Sequence, residues 1–300
     1  MKIGFSILSH KKPDRVYIEL INQLAKYPDH SIAIHHDESK SKLDTVVFNG
    51  VDVDVVKDTV VTEWSHVNNI EALLKTFRLL YDKKCEWFVT LSANCFPIKS
   101  HTELIDFLNN SKVDGYIECN NVNTDHFDFY RYFRKAFETR MLFRIPFIRK
   151  NGTFYLKPIR IKRKASSNIF AHSFIPYHGS DWFMINRKSM KYILDNKSRI
   201  EEVTDFLRSV NKYPDLNVCP PEVVFQTVLA NNKSLVLNNN NYRYIDWTNA
   251  VNWHPNNLTE NDYDAISRSE AFFARKLEEP SSINLLEKIK ENILTDINEK

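Results

Sequence analysis

The amino-acid sequence predicts an α/β protein built around a mainly parallel, Rossmann-like sheet of the kind that binds nucleotides. Short apolar runs alternate with helical periods through residues 1–120, and the residues just after several of these runs are polar. This alternation is typical of β-α-β units. The chain has 300 residues, of which 43% are apolar and 13% aromatic, and this is enough for one well-packed domain.

The predicted strands are short and apolar: Ile3 to Leu8, Ser31 to His35, Val53 to Val56, Trp87 to Leu91 and Gly115 to Glu118. Between the third and fourth strands, apolar residues recur at helical spacing, and Ser65 is predicted to be the N-cap of that helix. Ligands of open sheets bind beyond the carboxyl ends of the strands. The residues that follow each predicted strand are therefore the first candidates for a site.

The last part of the chain, residues 278–300, is predicted to be an amphipathic helix that follows a domain covering residues 1–277. Its apolar residues fall on one helical face: Ile283, Leu286, Ile289, Ile293 and Ile297. We expect this face to pack on the domain, with a partner-binding face as the alternative.

Positive charge is concentrated in one segment, residues 131–164, although the net charge of the chain is only +3. This segment holds twelve Lys or Arg residues and one acid, Glu138, together with several large apolar residues. A basic and apolar mixture suits an anionic membrane surface or an acidic substrate. A solvated basic insertion with some aromatic packing explains the composition equally well.

Several common classes of site are excluded by composition. Only five glycines occur, and none of them forms a Gly-rich phosphate loop, so side chains must hold any phosphate. The four cysteines form no C-x-x-C pair, which argues against structural zinc and a disulfide scaffold and favours a reducing compartment. The first apolar run is too short for a signal-peptide core. We expect a soluble protein, or at most a peripheral membrane protein.

Asp181 and Trp182 follow a Gly179-Ser180 turn just ahead of an apolar stretch. A carboxylate beside an indole suits a sugar, because the acid accepts hydrogen bonds from hydroxyls while the ring packs on the C–H face. An Asp at a turn that enters a strand also commonly caps backbone N–H groups. The sequence leaves both interpretations of Asp181 open.

Glu222 follows two prolines and leads the apolar run Val223 to Leu229. Proline followed by Glu is an ordinary start of a helix, where the helix dipole favours an acid. A helix that is apolar for most of two turns is buried, however, so its leading carboxylate would lie at the mouth of a packed site. A general base belongs in such a position.

Arg275 and Lys276 follow paired aromatic residues, Phe272 and Phe273. Two adjacent cations can neutralise a diphosphate, since Arg offers bidentate contacts and Lys a point charge. The simpler alternative is a basic helix C-terminus that complements its own dipole.

No metal site is predicted. A divalent ion that bridges a nucleotide sugar would be expected after the fourth strand, but Asn94 and Cys95 occupy that place. Two D-x-D matches exist elsewhere, at residues 52–54 and 262–264. We therefore expect neither a metal ion nor another cofactor.

Taken in order, these segments resemble the core-2/I-branching β-1,6-N-acetylglucosaminyltransferase family, which also includes the protein O-xylosyltransferases. The resemblance runs from about residue 3 to residue 277. It rests on the order and spacing of the following segments: Ile7 to His10, Trp64, Leu91 to Ser100, Gly179 to Phe183, Pro221 to Thr227, Arg243 to Trp247, His254 with Pro255, and Phe273 to Lys276.

The resemblance implies a GT-A fold, an inverting single displacement, and a UDP-sugar donor that is bound without a metal ion. It also assigns roles to individual residues. These are Glu222 as the base; Arg275, Lys276 and Arg243 at the diphosphate; Ser180, Asp181 and Trp182 at the donor or acceptor sugar; and His10, Asp37 and Trp64 near the uridine.

Further expectations concern partners and location. The resemblance implies a bacterial-type enzyme of surface polysaccharide assembly, cytoplasmic or peripheral at the inner face of the membrane. We expect transfer of N-acetylglucosamine to a glycan or a lipid-linked glycan, and no nucleic-acid partner. The enzymatic alternative is a xylosyltransferase that uses UDP-xylose. Cys95 stands where the family usually has Asp, which suggests a non-catalytic glycan-binding or scaffold protein as the alternative of another class.

Overall fold

The computed structural model describes residues 1–48, 50–125, 128–148, 154–212, 218–248, 250 and 254–294. The strands, in chain order, are β1 Ile3–Ser9, β2 Ser31–His36, β3 Asp54–Val55, β4 Trp87–Ser92, β5 Phe96–Pro97, β6 Gly115–Tyr116, β7 Asn120–Asn121, β8 Thr139–Ile148, β9 Phe154–Lys162, β10 Tyr177–His178, β11 Met184–Asn186, β12 Leu237–Asn238, β13 Arg243–Ile245 and β14 Phe273–Arg275. The α-helices are α1 Arg15–Ala25, α2 Asn68–Asp82, α3 His101–Asn109, α4 Asp128–Glu138, α5 Arg187–Asp195, α6 Lys197–Asn211, α7 Val224–Ala230, α8 Tyr263–Arg268 and α9 Ile283–Asn292.

A seven-stranded sheet forms the centre of the fold, in the order β12-β6-β11-β4-β1-β2-β3. β1 pairs in parallel with both β2 and β4, and β2 pairs in parallel with β3. β11 is the exception, because it runs antiparallel between β4 and β6. The five predicted strands are all present, with ends shifted by up to two residues. This mixed, mostly parallel sheet confirms the predicted α/β, GT-A-like fold class.

The two faces of the sheet are covered by separate hydrophobic clusters, and β4 shows how the pleat divides the side chains. Trp87, Val89 and Leu91 belong to the cluster beneath α1 and α9. Phe88 points the other way, into the cluster formed with α2, α5, α6 and α7. A strand covered on both faces has no solvent-facing polar side, and this explains why the predicted strands are mostly apolar without a regular polar alternation.

The prediction of Ser65 as the N-cap of the second helix is wrong. α2 begins at Asn68, and Val67 occupies the N-cap position without a side-chain hydrogen bond. Ser65 has a φ of 61°, outside the extended conformation of an N-cap residue. Its hydroxyl forms a hydrogen bond with Cys219 instead, close to the segment that carries Glu222.

The basic insertion forms a helix and a β-hairpin. Residues 131–138 belong to α4, and β8 and β9 then pair antiparallel from Thr139 opposite Lys162 to Ile148 opposite Phe154. The root of the insertion is fixed to the domain, because Phe137 packs 4.6 Å from Phe170 between ring centroids. Residues 149–153 lie outside the described part of the chain.

The C-terminal helix α9 lies against α1. Leu285, Leu286 and Ile289 are fully buried, and they share the hydrophobic cluster of β1 and α1. An ion pair of 2.9 Å between Lys290 Nζ and Glu19 Oε2 borders this contact. The last predicted apolar residue of the helix, Ile297, lies outside the described residues, and the domain limit at 277 stays a prediction.

Membrane-spanning and disulfide features are not found in the described ranges. No helix there is long and apolar enough to cross a bilayer. All four cysteines are free thiols, and burial raises the pKa of Cys85.

If α9 is an integral part of the core, removing one of its buried side chains will destabilise the whole fold. We expect Leu286→Ala to lower the free energy of unfolding by ~2–4 kcal/mol, because it leaves a cavity against α1. Urea denaturation followed by circular dichroism measures this change. The matched control is Val46→Ala at an exposed site, for which we expect less than ~0.5 kcal/mol. An equally small effect of Leu286→Ala would show that α9 is dispensable.

Candidate active site

The segment that carries Asp181 and Trp182 lies at the edge of the sheet where β4 ends. Because β11 runs antiparallel to β4, the residues that precede β11 lie beside the carboxyl end of β4. The Phe183 N–H donates to Thr90 Oγ1 over 2.8 Å. Thr90 Oγ1 in turn donates to the Asp181 carbonyl oxygen over 3.1 Å. A strand of the central sheet therefore holds the Asp181 backbone in place.

Gly179 allows this segment to approach Glu118 closely. A Cβ atom at Gly179 would lie 2.0 Å from the Glu118 carbonyl oxygen, so no side chain fits there. One residue later, the Ser180 N–H donates to Glu118 Oε2 over 3.0 Å. Glu118 was not among the predicted site residues. Its position at the end of the fifth predicted strand was the signal that would have identified it.

Glu222 is brought to the same place by a 3-10 turn, Pro220–Glu222, that leads into α7. Its carbonyl oxygen accepts from the Gly179 N–H over 2.9 Å. From α7, Gln226 Nε2 donates to the Ser180 carbonyl oxygen over 2.7 Å. The segment of Asp181, which is predicted to bind a sugar, is thus in direct contact with the segment of Glu222, which is predicted to lie at the mouth of a packed site.

A chain of hydrogen bonds orients the Glu222 carboxylate. His178 Nε2 lies 3.2 Å from Glu222 Oε2, and His178 Nδ1 lies 3.4 Å from Tyr130 Oη. A carboxylate only accepts, so Nε2–H donates to Glu222 and, in the neutral ring, Nδ1 accepts from the Tyr130 hydroxyl. The Glu222 side chain remains 36% exposed. It is therefore fixed on one side and accessible on the other.

Three carboxylates and one guanidinium determine the electrostatics of the site. Burial and the negative charge of Glu222 raise the pKa of Asp181 to about 7, and Glu118 adds to this effect. The positive charge of Arg275 opposes the shift. Near neutral pH, the carboxyl group of Asp181 is therefore protonated in part of the molecules and ionised in the rest. The protonated form can donate a hydrogen bond, and the accessible Glu222 lies beside it.

Arg275 lies over the Trp182 ring, with its guanidinium carbon 4.6 Å from the ring centroid. Arg275 ends a strand, β14, that pairs in parallel with β13 and antiparallel with β5. The alternative of a basic helix C-terminus is therefore excluded. Within the described residues, Arg275 Nε and Trp182 Nε1 are buried without a hydrogen-bond partner. Both groups retain donor capacity for a bound molecule.

The segment after β14 docks on the turn that follows β4. The Leu277 N–H donates to the Asn94 carbonyl oxygen over 2.9 Å, and Asn94 Nδ2 donates to the Leu277 carbonyl oxygen over 3.0 Å. Lys276 Nζ forms an ion pair of 2.8 Å with Glu278. The two cations thus border the place where a metal-binding D-x-D motif would be expected.

Arg243 lies behind the site and not at its surface. The residue is buried, and its Nη1 donates to the Asn241 carbonyl oxygen over 2.8 Å while Nη2 donates to the Thr90 carbonyl oxygen over 3.3 Å. Its guanidinium carbon lies 4.7 Å from the centroid of the Phe273 ring. These contacts tie β13 to β4 and β14, and the predicted contact with the diphosphate stays a prediction.

Two of the residues predicted near the uridine lie at the carboxyl ends of β1 and β2. Asp37 is buried, and its carboxylate accepts from Ser39 and from the Thr62 N–H, the latter over 2.7 Å. Although burial opposes ionisation, these hydrogen bonds lower the pKa of Asp37 to about 2. Asp37 therefore organises the loops around His10, which is exposed beside it.

Trp64 is exposed, with 64% of its surface accessible to solvent. Its ring centroid lies 5.8 Å from that of His254. The hydrogen bond between Ser65 and Cys219 places this segment next to the turn of Glu222. Trp64 therefore stands between the predicted nucleotide region and the predicted base.

Cys95 points into the domain. It is fully buried, its N–H donates to the Ser92 carbonyl oxygen over 3.0 Å, and its thiol accepts from the Ser92 N–H over 3.3 Å. Elsewhere, Asp54 forms an ion pair with Lys83, and Asp262 accepts from the Thr259 N–H. In the described part of the chain, no group of three or more His, Cys, Asp and Glu side chains is arranged to hold a metal ion.

Comparison with known proteins identifies one family. A family model for the core-2/I-branching enzyme matches residues 3–269. The chain is 23% identical over 303 residues to Xylosyltransferase 1 of Canis lupus familiaris, which covers 93% of this chain and 29% of that protein. It is 23% identical over 314 residues to Xylosyltransferase 2 of Homo sapiens, covering 96% and 33%. The chain thus spans about a third of the length of these relatives.

Two solved structures show limited similarity to the fold. One is a putative glucose-1-phosphate thymidylyltransferase from Bacillus anthracis, with a TM-score of 0.35 and 13% identity, covering 71% of this chain and 83% of that chain. The other is a 4-diphosphocytidyl-2C-methyl-D-erythritol synthase from Anaerococcus prevotii, with a TM-score of 0.30 and 10% identity, covering 65% and 78%.

The raised pKa of Asp181 predicts a pH dependence of stability. The folded protein holds a proton on Asp181 up to about pH 7, whereas the unfolded chain releases it near pH 3.8. The free energy of unfolding should therefore fall as the pH rises through this interval and level off above it. Asp181→Asn cannot ionise, so we expect it to remove this fall and to exceed the parent at pH 8 by ~2 kcal/mol or more.

Urea denaturation at several pH values between 4 and 8 checks this expectation. Asp264→Asn, at an exposed site, serves as the control and should keep the parent profile. If the profile of Asp181→Asn were parallel to that of the parent, another group would be responsible for the pH dependence.

Proposed function

The chain belongs to the core-2/I-branching enzyme family, and from this premise we propose that it is an inverting glycosyltransferase. In this proposal it moves a sugar from a UDP-sugar to a hydroxyl group of a glycan, with a β linkage and without a metal ion. The observation that carries the proposal is the position of Asp181 between two segments: the Glu222 turn, whose carbonyl oxygen accepts from the Gly179 N–H, and Arg275, which lies over the Trp182 ring.

Glu222 is the proposed base. It removes the proton from the acceptor hydroxyl, and the oxygen then attacks the anomeric carbon from the face opposite UDP, so that an α-linked donor gives a β-linked product. The hydrogen bond from His178 keeps the Glu222 carboxylate in a fixed direction. Its exposed side leaves room for an acceptor. General-base catalysis of this kind commonly contributes ~10²–10⁴-fold to the rate.

Arg275 and Lys276 are proposed to stabilise the departing diphosphate. The mutual hydrogen bonds of Asn94 and Leu277 hold these cations beside the turn after β4. Fixed cations can stabilise a developing phosphate charge in place of a metal ion. Arg275 is also positioned by stacking on Trp182, so one residue links the sugar pocket to the diphosphate.

Asp181, Trp182 and Ser180 are proposed to bind the transferred sugar. A carboxyl group with a pKa near 7 can either donate to or accept from a sugar hydroxyl. The Trp182 indole is buried against Arg275 and keeps an N–H without a protein partner among the described residues. His10, Asp37 and Trp64 complete the proposal at the nucleotide end, where the exposed Trp64 offers a ring for stacking.

N-acetylglucosamine is our first proposal for the transferred sugar. Xylose is the second, and the names of the relatives support it, because both proteins described above are xylosyltransferases. A thermal-shift screen of the protein against UDP-N-acetylglucosamine, UDP-xylose and other nucleotide sugars distinguishes the two. The proposed setting is surface polysaccharide assembly at the cytoplasmic face of the membrane.

Two variants separate the base from the diphosphate clamp. Glu222→Gln can still accept from His178 but cannot take up a proton, so we expect UDP binding to persist while transfer falls by ~10² or more. Arg275→Ala combined with Lys276→Ala removes two charges at the diphosphate and should weaken UDP binding by ~10-fold or more. Isothermal titration with UDP and a transfer assay measure the two effects.

The matched control for the double variant is Lys57→Ala combined with Lys112→Ala, at exposed positions outside the site. It should bind UDP like the parent. Near-normal transfer by Glu222→Gln would assign the base to another group, with Asp181 as the next candidate. Unchanged UDP affinity of the Arg275 and Lys276 double variant would place the clamp elsewhere, and Arg243 would be tested next.

A metal-free mechanism predicts that transfer, or hydrolysis of the donor, continues in excess EDTA. The reason is that Arg275 and Lys276 supply the positive charge beside the turn after β4. A radiochemical assay with and without EDTA, followed by addition of manganese, checks this. Complete loss of activity in EDTA with recovery on adding manganese would refute the metal-free proposal.

The alternative of a non-catalytic scaffold or glycan-binding protein makes a different prediction in the same assays. Such a protein would bind UDP-sugar or glycan without any turnover, and Glu222→Gln would change nothing. Cys95, which suggested this alternative, is buried, and its thiol accepts from the Ser92 N–H.

A further inference from the structure

The hairpin of β8 and β9 has an unusual surface. Among the described side chains, the exposed large apolar residues number thirteen, and six of them lie in this hairpin of nineteen residues: Leu142, Phe143, Ile145, Phe154, Leu156 and Ile161. Leu142, Phe143, Phe154 and Leu156 are each 49–62% exposed. Isolated exposed apolar residues are common, but such a concentration in one element marks an interaction surface.

Both faces of the hairpin are apolar. The pairing of Phe143 with Ile159 and of Pro146 with Leu156 places these two pairs on opposite faces. The hairpin is a separate two-stranded sheet, and no third strand joins it in the described ranges. A protein partner that covered one face would leave the other face in water. An apolar medium that surrounds the end of the hairpin can contact the apolar side chains of both faces at once.

Cations are distributed along the same element. Arg140, Lys162 and Lys164 are exposed near the root of the hairpin, and Phe154 and Leu156 lie nearer its far end. Arg144 and Lys157 are exposed between them, next to the apolar side chains. The whole segment 131–164 carries twelve cations and one acid. Exposed apolar side chains interleaved with cations suit the interface of an anionic bilayer, where charged lipid head groups meet the acyl chains.

We propose that the β8–β9 hairpin docks the protein on an anionic lipid bilayer, with Phe154 and Leu156 entering the interface and the exposed cations of the two strands contacting the lipid head groups. The occupant of this surface is thus the membrane itself. Docking by an element of this kind is peripheral and reversible, and it combines buried apolar area with electrostatic attraction.

The docking element is joined directly to the candidate active site. α4, which leads into β8, packs on His178: the ring centroids of Phe133 and His178 are 4.8 Å apart, and Tyr130 Oη lies 3.4 Å from His178 Nδ1. His178 is the residue that orients Glu222. Membrane docking would therefore place the site at the bilayer surface, where it meets a lipid-linked acceptor. This last step rests on the proposed function, whereas docking itself does not.

Vesicle sedimentation of the whole protein tests the proposal. We expect the parent to sediment with phosphatidylglycerol vesicles at low salt, to be released as salt increases, and not to sediment with phosphatidylcholine vesicles. Arg140→Ala, Lys162→Ala and Lys164→Ala combined should weaken binding by ~10²-fold, since each cation near the surface contributes about fivefold. Phe154→Ser combined with Leu156→Ser should weaken it by ~10-fold or more.

Two control variants match these changes at exposed sites outside the hairpin. Lys57→Ala, Lys112→Ala and Lys233→Ala remove the same number of cations, and Val46→Ser with Val236→Ser removes apolar surface. Both controls should sediment like the parent. Titration with UDP monitors the candidate site separately, so a failure of docking is distinguished from a failure of the proposed function.

A fluorescent label reports insertion directly. An environment-sensitive dye on Leu156→Cys should shift to the blue on phosphatidylglycerol vesicles, whereas the same dye on Val236→Cys should not. Binding that depends only on the cations, with no effect of the serine variants and no shift of the dye, would overturn the entry of Phe154 and Leu156 into the interface and leave electrostatic adsorption alone. Equal failure of the parent to sediment with both kinds of vesicle would overturn it outright.

Discussion

The close approach of Gly179 to the backbone of Glu118 is the constraint on which the candidate site depends. It requires the absence of a side chain, because a Cβ atom would lie 2.0 Å from the Glu118 carbonyl oxygen. The approach allows the Ser180 N–H to reach the Glu118 carboxylate and the Gly179 N–H to reach the Glu222 carbonyl oxygen. Carboxylates from three separate segments therefore converge, and their negative charges add to the burial that raises the pKa of Asp181.

Most of the fold was predictable from the sequence because burial on both faces leaves a direct signature. β1, β2 and β4 have no exposed residues, and their predicted bounds differ from the observed bounds by a single residue. The N-cap of α2 was predicted wrongly, since the hydrogen bond of Ser65 to Cys219 joins residues that are distant in sequence. Local propensity contains no information about such a contact. The antiparallel direction of β11 likewise depends on tertiary structure.

The candidate site was predictable in its parts but not in its assembly. The segments of Asp181, Glu222 and Arg275 were each identified by residue type, and the structure brings them together. The roles of Glu118 and His178 were missed, because each acts through a hydrogen bond to a residue more than forty positions away. Arg243 was predicted at the diphosphate because of its residue type and segment. Its side chain is buried, and it donates hydrogen bonds to backbone carbonyl groups.

The electrostatics of the site favour an enzyme over a scaffold. Keeping Asp181 buried and close to Glu222 and Glu118 costs folding free energy, since burial and like charges both oppose its ionisation. A protein that served only as a scaffold would gain stability from a neutral residue at Asp181 and would need no orienting contact from His178 to Glu222. Destabilising arrangements of this kind persist mainly where chemistry uses them. An accessible, oriented carboxylate next to a second carboxyl group that titrates near pH 7 is suited to moving a proton, whereas binding a glycan requires neither feature.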